Sequence, residues 1–508
     1  MAAKVESSNL TPPAIQIGRS RPPLEVEDLP TPEEVFKVRR IGLAELIVFV
    51  IGPSLIALGI SIGSGEWLFG PLNIGQFGFT GLGWVILVSA VLQVFFNVEL
   101  ARFTVATGEV PIVAFGRTPP GYLVWLPVAL LFLFLAFILG GWAQSAGSSL
   151  FVLLTGRANT PDELEIVRLL SIGLLLTIFP FVLVGRRIER TLELVQGALL
   201  IFVLISLVLV TLTIVPLDFF GEALVSLVTP AAPPRGTNPS LLGALAGFTA
   251  MAAGLNFMFI SYYRDKGYGM GHKVGYLSGW LGGKPGSVSP VGKVFPENEK
   301  NAARWKRWFR LLLIDQWGVY FIGVMIGMLM PSILVRYLAS PVAAPKPDAS
   351  SILVYTATQL GEKYGPILFS WALLIGFVIM YTTQMIVLEL LTRNATDGLY
   401  SASGRFRRWM RGDPRRFYYP LMLALIVVIG VVIHVAPPID QLVVSGNISN
   451  FAALIFPFVV MYLNRRLPRP ARSAWWSYLV LLANVVFFGF FFVNFLVTLL
   501  TGQPLVTF

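Results

Sequence analysis

One acidic residue stands against a run of small ones at Gly63-Ser64-Gly65-Glu66, inside the first long apolar stretch of the chain. Five apolar stretches later comes Met251-Ala252-Ala253-Gly254, followed by Asn256, and a further amide, Asn447, lies in a later stretch. Together they offer one carboxylate, one thioether, a hydroxyl, two amide oxygens and the backbone carbonyls that small residues can free. Soft thioether and imidazole ligands favour transition metals, whereas hard cations prefer carboxylate, carbonyl and water oxygen, so a set with one thioether among oxygens suits Mg²⁺ or Mn²⁺ better than iron. Cysteine is absent and only His272 and His434 are present, which excludes disulfides, thiolate sites and histidine-rich metal centres. His272 is expected to be exposed in a basic glycine-rich loop, and His434 to be hydrogen-bonded near an outer helix end. No nucleophile-base set or phosphate-cradling glycine loop occurs, which argues against an enzyme and gives no reason to expect a cofactor.

These residues must be placed by helices that live in lipid. Of 508 residues, 55% are hydrophobic and 13% charged, about half the charged share of a soluble protein. The apolar residues gather into runs long enough to cross roughly 30 Å of hydrocarbon. They predict an all-α polytopic membrane protein with eleven spans near 43–69, 80–106, 121–150, 164–184, 190–215, 238–262, 309–335, 365–391, 417–435, 440–463 and 475–500. Residues 1–40, polar and rich in proline, are expected to form a disordered cytoplasmic tail without a cleavable signal peptide. Residues 263–308 are expected to form a long solvated loop, where phosphate or lipid contact is the less favoured alternative.

The net charge of +11 belongs to loops, not to a nucleic-acid surface. Arg186 and Arg187, then Lys266, Lys273, Lys284, Lys293, Arg304 and Arg307, then 405–416, then Arg465, Arg466 and Arg469 fall in alternate loops, all on the same side of the predicted spans. The loops near 70–79 and 436–439 carry no Lys or Arg. That bias predicts the inner cell membrane, with the N-terminus cytoplasmic and the C-terminus outside. Trp305, Trp308, Trp475 and Trp476 are expected in interfacial belts.

Small-residue interruptions in the first and sixth spans, five spans apart, predict broken helices in an inverted-repeat transporter, with repeats near 43–215 and 238–463 and an extra helix at 475–500. The alternative is that these glycines only let helices pack closely. An ionised Glu66 at the bilayer midplane costs several kcal/mol unless paired or hydrated, so function is its default reading, either as ligand or as proton carrier. Glu99 and Arg102, three apart, are expected to form a structural pair. Asp315 and Glu389 are expected to pair with Arg310 and Arg393, with gating roles as the less favoured reading.

Several motifs resemble the Nramp family of proton-coupled divalent-metal transporters, which share a five-plus-five inverted repeat of the LeuT type. They are Gly52-Pro53, Ile62-Gly63-Ser64-Gly65-Glu66-Trp67, Gln76-Phe77-Gly78, Glu99-Leu100-Ala101-Arg102 and Ala106-Thr107-Gly108. Gly185 with Arg190 and Leu192-Glu193, and Thr382-Thr383-Gln384, extend the resemblance over about 43–463. It implies a secondary transporter working by alternating access around broken helices one and six. The departures are as telling. Gly63-Ser64-Gly65-Glu66 stands where the family has Asp-Pro-Gly-Asn, and Met251-Ala252-Ala253 stands where it has Met-Pro-His. Gly140-Gly141-Trp142-Ala143-Gln144 has no acid where helix three of the family carries proton-transfer carboxylates.

The site set is therefore Gly63, Ser64, Gly65, Glu66, Met251, Ala252, Asn256 and Asn447, with Glu66 and Met251 as metal ligands. Ile62-Gly63-Ser64-Gly65 also resembles the helix-one break of amino-acid and polyamine transporters, where exposed amides bind a carboxylate. A small organic solute is thus the alternative cargo. A non-transporting scaffold or sensor that has lost its ligands is the alternative class. Expected partners are the bilayer and a small solute or ion; oligomeric partners are not legible.

Overall fold

The computed structural model describes residues 24–45, 52–183, 188–278, 280, 288–340 and 352–508, so Gly185, Arg186, Arg187 and Lys284 lie outside the described residues. Among the described residues, ten helices are long and apolar enough to cross a membrane. The pair Gly52–Ser61 and Gly65–Phe77, bent by 43°, makes an eleventh span, the first in chain order. The second to sixth are Gly83–Thr107, Tyr122–Thr155, Pro161–Leu183, Gln196–Ile214 and Pro239–Phe259; the rest are Glu299–Leu338, Pro366–Ala402, Arg415–Val432, Pro438–Asn464 and Trp475–Thr501.

Apolarity all round a helix permits either burial or lipid contact, and packing divides the spans between the two. The sixth is 94% buried over its most apolar window and the second 78%, whereas the fourth and fifth are each 28% buried. Spans two and six thus form the centre, and four and five face outward. The third is interrupted over 138–140, between Tyr122–Phe137 and Gly141–Thr155. The seventh starts ten residues before its expected position and carries a π-helical stretch, Ile314–Phe321, part-way along.

The basic end of the bundle differs most from expectation. Residues 24–40 are not a disordered tail. Strand β1 (Glu25–Val26) pairs in parallel with β2 (Lys293–Val294), and a short helix, Pro32–Phe36, follows behind a Thr31–Glu34 capping box. Trp308 Nε1 donates to the Pro30 carbonyl at 2.7 Å, and Leu29 is fully buried. Trp305 and Trp308, expected at the lipid interface, are buried beneath this segment. Nor is 263–308 a solvated loop: Arg264, Asp265, Tyr268 and Met270 are buried, and helix resumes at Glu299. His272 is exposed, as expected.

Candidate functional site

The first break follows from its composition. Ile62 and Gly63 leave the α-helical path, and the chain re-enters as a π-helical turn, Gly65–Phe69, in which Gly70 N–H donates to Gly65 O. A side chain on Gly63 would meet the Ile60 carbonyl and Thr383 Oγ1, each at 2.7 Å. One on Gly65 would lie 2.6 Å from the Phe248 carbonyl. Glycine at 65 lets the broken part of span one touch the backbone of span six.

The second break lies two or three residues earlier than the small-residue run suggests. Ala250, Met251 and Ala252 have φ of 60°, 96° and 84°, while Ala253, Gly254 and Asn256 already belong to the next helix, Ala253–Phe259. Three successive non-glycine residues in the left-handed region cost of order 1–3 kcal/mol each. Two side chains that sequence reasoning missed hold them there. Gln93 of span two donates through Nε2 to the carbonyls of Ala246 at 3.2 Å, Gly247 at 3.0 Å and Thr249. Tyr320, in the π-helical stretch of span seven, donates to Ala250 O at 2.8 Å and bonds Ser61 Oγ at 3.0 Å, bridging both breaks. Gln93 was findable, because a polar amide in the middle of a predicted span requires a partner.

Glu66 sits at the joint and is fully buried. The Gly63 amide donates to its Oε2 at 3.4 Å and the Ala250 amide also faces the carboxylate, one from each break. Its Oε1 has no partner among the described residues. Aromatic rings close the space around the joint. Phe248 stacks on Phe69 with centroids 5.8 Å apart and meets Trp142 edge-on at 5.8 Å, and the indole nitrogens of Trp67 and Trp142 are buried without partners among the described residues. A buried carboxylate with one free oxygen, beside π-faces, is an arrangement that can attract a cation, while the amide donors hold the carboxylate in place.

The other expected ligands divide. Ser64 and Met251 are buried at the two breaks. Asn256 is engaged, donating to Gln93 Oε1 at 2.6 Å with its own Oδ1 unpartnered. Asn447 is not at the joint: it donates to Ser240 O at 2.8 Å and its oxygen lies against Gly243, more than a turn from the break. Gln144, in place of an acid, donates to the Ile433 carbonyl. Among the described residues, no group of three or more His, Asp and Glu is placed to hold a metal.

Beyond the joint toward the basic end lies a buried ionic cluster. Arg393 pairs with Glu389 at 2.6 Å, as expected, and also with Asp265. Arg264 pairs with Asp265 at 2.7 Å and Asp397 at 2.9 Å, and Tyr262 and Tyr418 donate to Glu389 at 2.5 and 2.9 Å. Asp315 does not pair with the exposed Arg310. It accepts from Tyr263, and its carbonyl accepts from Ser54 Oγ at 2.7 Å. Glu99 and Arg102 form the expected pair at 3.0 Å, joined by Asn464. His434 bonds the Gly430 carbonyl at 3.1 Å in an exposed position.

No protein-family description matches the chain, and no curated protein does. Solved structures do. The manganese transporter of Eremococcus coleocola, in two substituted forms, gives TM-scores of 0.56 and 0.54 at 14% identity, covering 95% of this chain and 92% of that one. Its complex with an aromatic bis-isothiourea compound gives 0.52 at 14% identity over 96% and 92%. The chain has that transporter's fold. The five-plus-five architecture implied by the Nramp resemblance is thus the one found, with its first and sixth helices broken. At this identity the likeness is one of fold, and the ligands must be read from the chain itself.

Proposed function

We propose that the chain is a secondary transporter that carries a hard divalent cation, Mn²⁺ or Mg²⁺ in preference to iron, by alternating access about the joint of spans one and six. Glu66 is its one charged ligand and its proton carrier. The chain sits in the inner cell membrane with residues 24–45 and the basic end cytoplasmic. The observation carrying this reading is a fully buried carboxylate between two interrupted helices, with one oxygen unpartnered. The likeness to a manganese transporter supports it, as do Ser64 and Met251, which add a hydroxyl and a thioether at the same joint. Purified protein in proteoliposomes should take up Mn²⁺, and Glu66→Gln, shown to be folded, should abolish uptake. Undiminished uptake would place the site elsewhere.

A second reading, an organic solute with a cationic group, is favoured by the aromatic rings of Phe69, Phe248 and Trp142 at the joint, since π-faces attract alkylammonium ions. It predicts no calorimetric heat with metals and a rise in melting temperature with a zwitterion. Absence of flux across a broad panel of ions and metabolites would point to a scaffold instead.

A further inference from the structure

A cavity of about 700 Å³ opens at the basic end between spans two, seven and eleven. It is remote in role from the joint, and nothing in the transport reading uses it. Three tryptophans, Trp305, Trp317 and Trp476, line it together with Arg102, Lys306 and Arg310. Lys306 and Arg310 stand four apart on the helix Glu299–Leu313, so their like charges share one face and repel each other. Both are exposed, and neither has an ion pair among the described residues. Arg102 is held differently. Glu99 fixes it in a two-point contact at 3.1 and 3.0 Å, and its guanidinium lies over the Phe309 ring at 4.3 Å.

The position of the cavity relative to lipid can be read from the neighbouring residues. Leu479, three residues beyond Trp476, is 57% exposed, and Ile322, five beyond Trp317, is 52% exposed. Their apolar surface marks where hydrocarbon begins, so the cavity lies about one turn outside it, at headgroup depth. Its walls combine unneutralised cations with aromatic surface, including Phe95 packed on Trp476 at 5.5 Å. A free inorganic anion has use for the charges but none for the apolar wall. An amphiphile with a phosphate at one end uses both.

We propose that this cavity seats the headgroup of an anionic phospholipid, with Lys306 and Arg310 on the phosphate and the Trp476 and Phe95 rings against the upper acyl chain. The inference stands independently of the cargo.

The test uses the full chain purified in a neutral detergent, with melting temperature followed on titration with short-chain phosphatidylglycerol, short-chain phosphatidylcholine and inorganic phosphate. Phosphatidylglycerol should stabilise the protein saturably, and the other two should not. Lys306→Gln and Arg310→Gln should each weaken the apparent affinity about fivefold, and the double variant about 25-fold, from roughly 1 kcal/mol per basic side chain at an anionic surface. A Lys306→Arg, Arg310→Lys variant keeps both charges and should bind as the unsubstituted chain does. Equal stabilisation by phosphatidylcholine would reduce the cavity to an apolar groove, and equal stabilisation by phosphate would make it a soluble-anion site. Either result overturns the proposal, as does unchanged phosphatidylglycerol affinity in the double glutamine variant. Since both side chains are exposed, their substitution leaves the core intact; the single variants decide the matter if the double one is unstable.

Discussion

Replacing Gly65 with alanine tests the joint at its tightest point. The added carbon would lie 2.6 Å from the Phe248 carbonyl oxygen and 2.7 Å from its carbon, where ordinary contact begins near 3.4 Å. Both atoms belong to backbone, so no side chain can swing aside, and spans one and six must separate by about 0.8 Å. Overpacking of this kind costs roughly 1–3 kcal/mol. Charged against closure of the joint, that is a fall of about 5- to 150-fold in the occupancy of the competent state. Gly173→Ala supplies the comparison, since its carbon would meet nothing within 4 Å on the lipid-facing helix Leu164–Leu183, and alanine favours helix by about 1 kcal/mol. Initial rates of Mn²⁺ uptake into proteoliposomes and detergent melting temperatures should be measured on both variants. Gly65→Ala is expected to remain helical and monodisperse, to melt lower and to lose transport in that range, while Gly173→Ala keeps both. If Gly65→Ala transports and melts like the parent chain, the close approach of the two breaks is not what shapes the site.

Two further outcomes follow from the charges at the basic end. Arg393→Met leaves the buried Glu389 without its cation and Asp265 with Arg264 alone, and should cost about 3–5 kcal/mol, whereas Arg168→Met removes only a solvent-screened pair with Glu165 and should barely move the melting temperature; equal melting temperatures for the two would refute burial as the cause. The hydrogen bond from Lys293 lowers the Glu27 pKa below its ordinary 4.5, and that from Lys300 lowers Asp28 below 3.8. A carboxylate depressed in the folded state stabilises above its unfolded pKa and stops doing so as pH falls through the folded one. Amide exchange at residues 24–31, corrected for intrinsic pH dependence, should therefore speed up below about pH 4.5. Constant protection down to pH 3 would show that these partly exposed pairs contribute nothing to holding the strand.

The number of spans was legible because lipid demands long apolar runs, and the first break because Gly63-Ser64-Gly65 frees the chain locally. Glu99 with Arg102 was legible from helical spacing, and Glu389 with Arg393 from their common place near one end of a span. The second break was misplaced because alanine carries no local preference for the left-handed region. Tertiary partners impose that geometry at Ala250–Ala252, and Gln93 is 157 positions from Ala250 along the chain. The cluster of Arg264, Asp265 and Asp397 was hidden for the same reason. A run of charge in a glycine-rich segment reads as solvated until distant acids and bases are brought against it. The N-terminal strand is two residues long, too short for any periodicity to register.

Gln93 has a consequence for what the protein can admit. One neutral amide occupies the oxygens of Ala246, Gly247 and Thr249 that a bare cation would want, and each such bond contributes about 0.5–1.5 kcal/mol net. In the transport reading proposed above, a guest needing those oxygens would first have to evict this resident, a threshold of a few kcal/mol that would turn away weakly charged or bulky visitors. Eviction would also release these bonds between span two and span six, so recognition of the guest and loosening of the middle of the molecule would be one event.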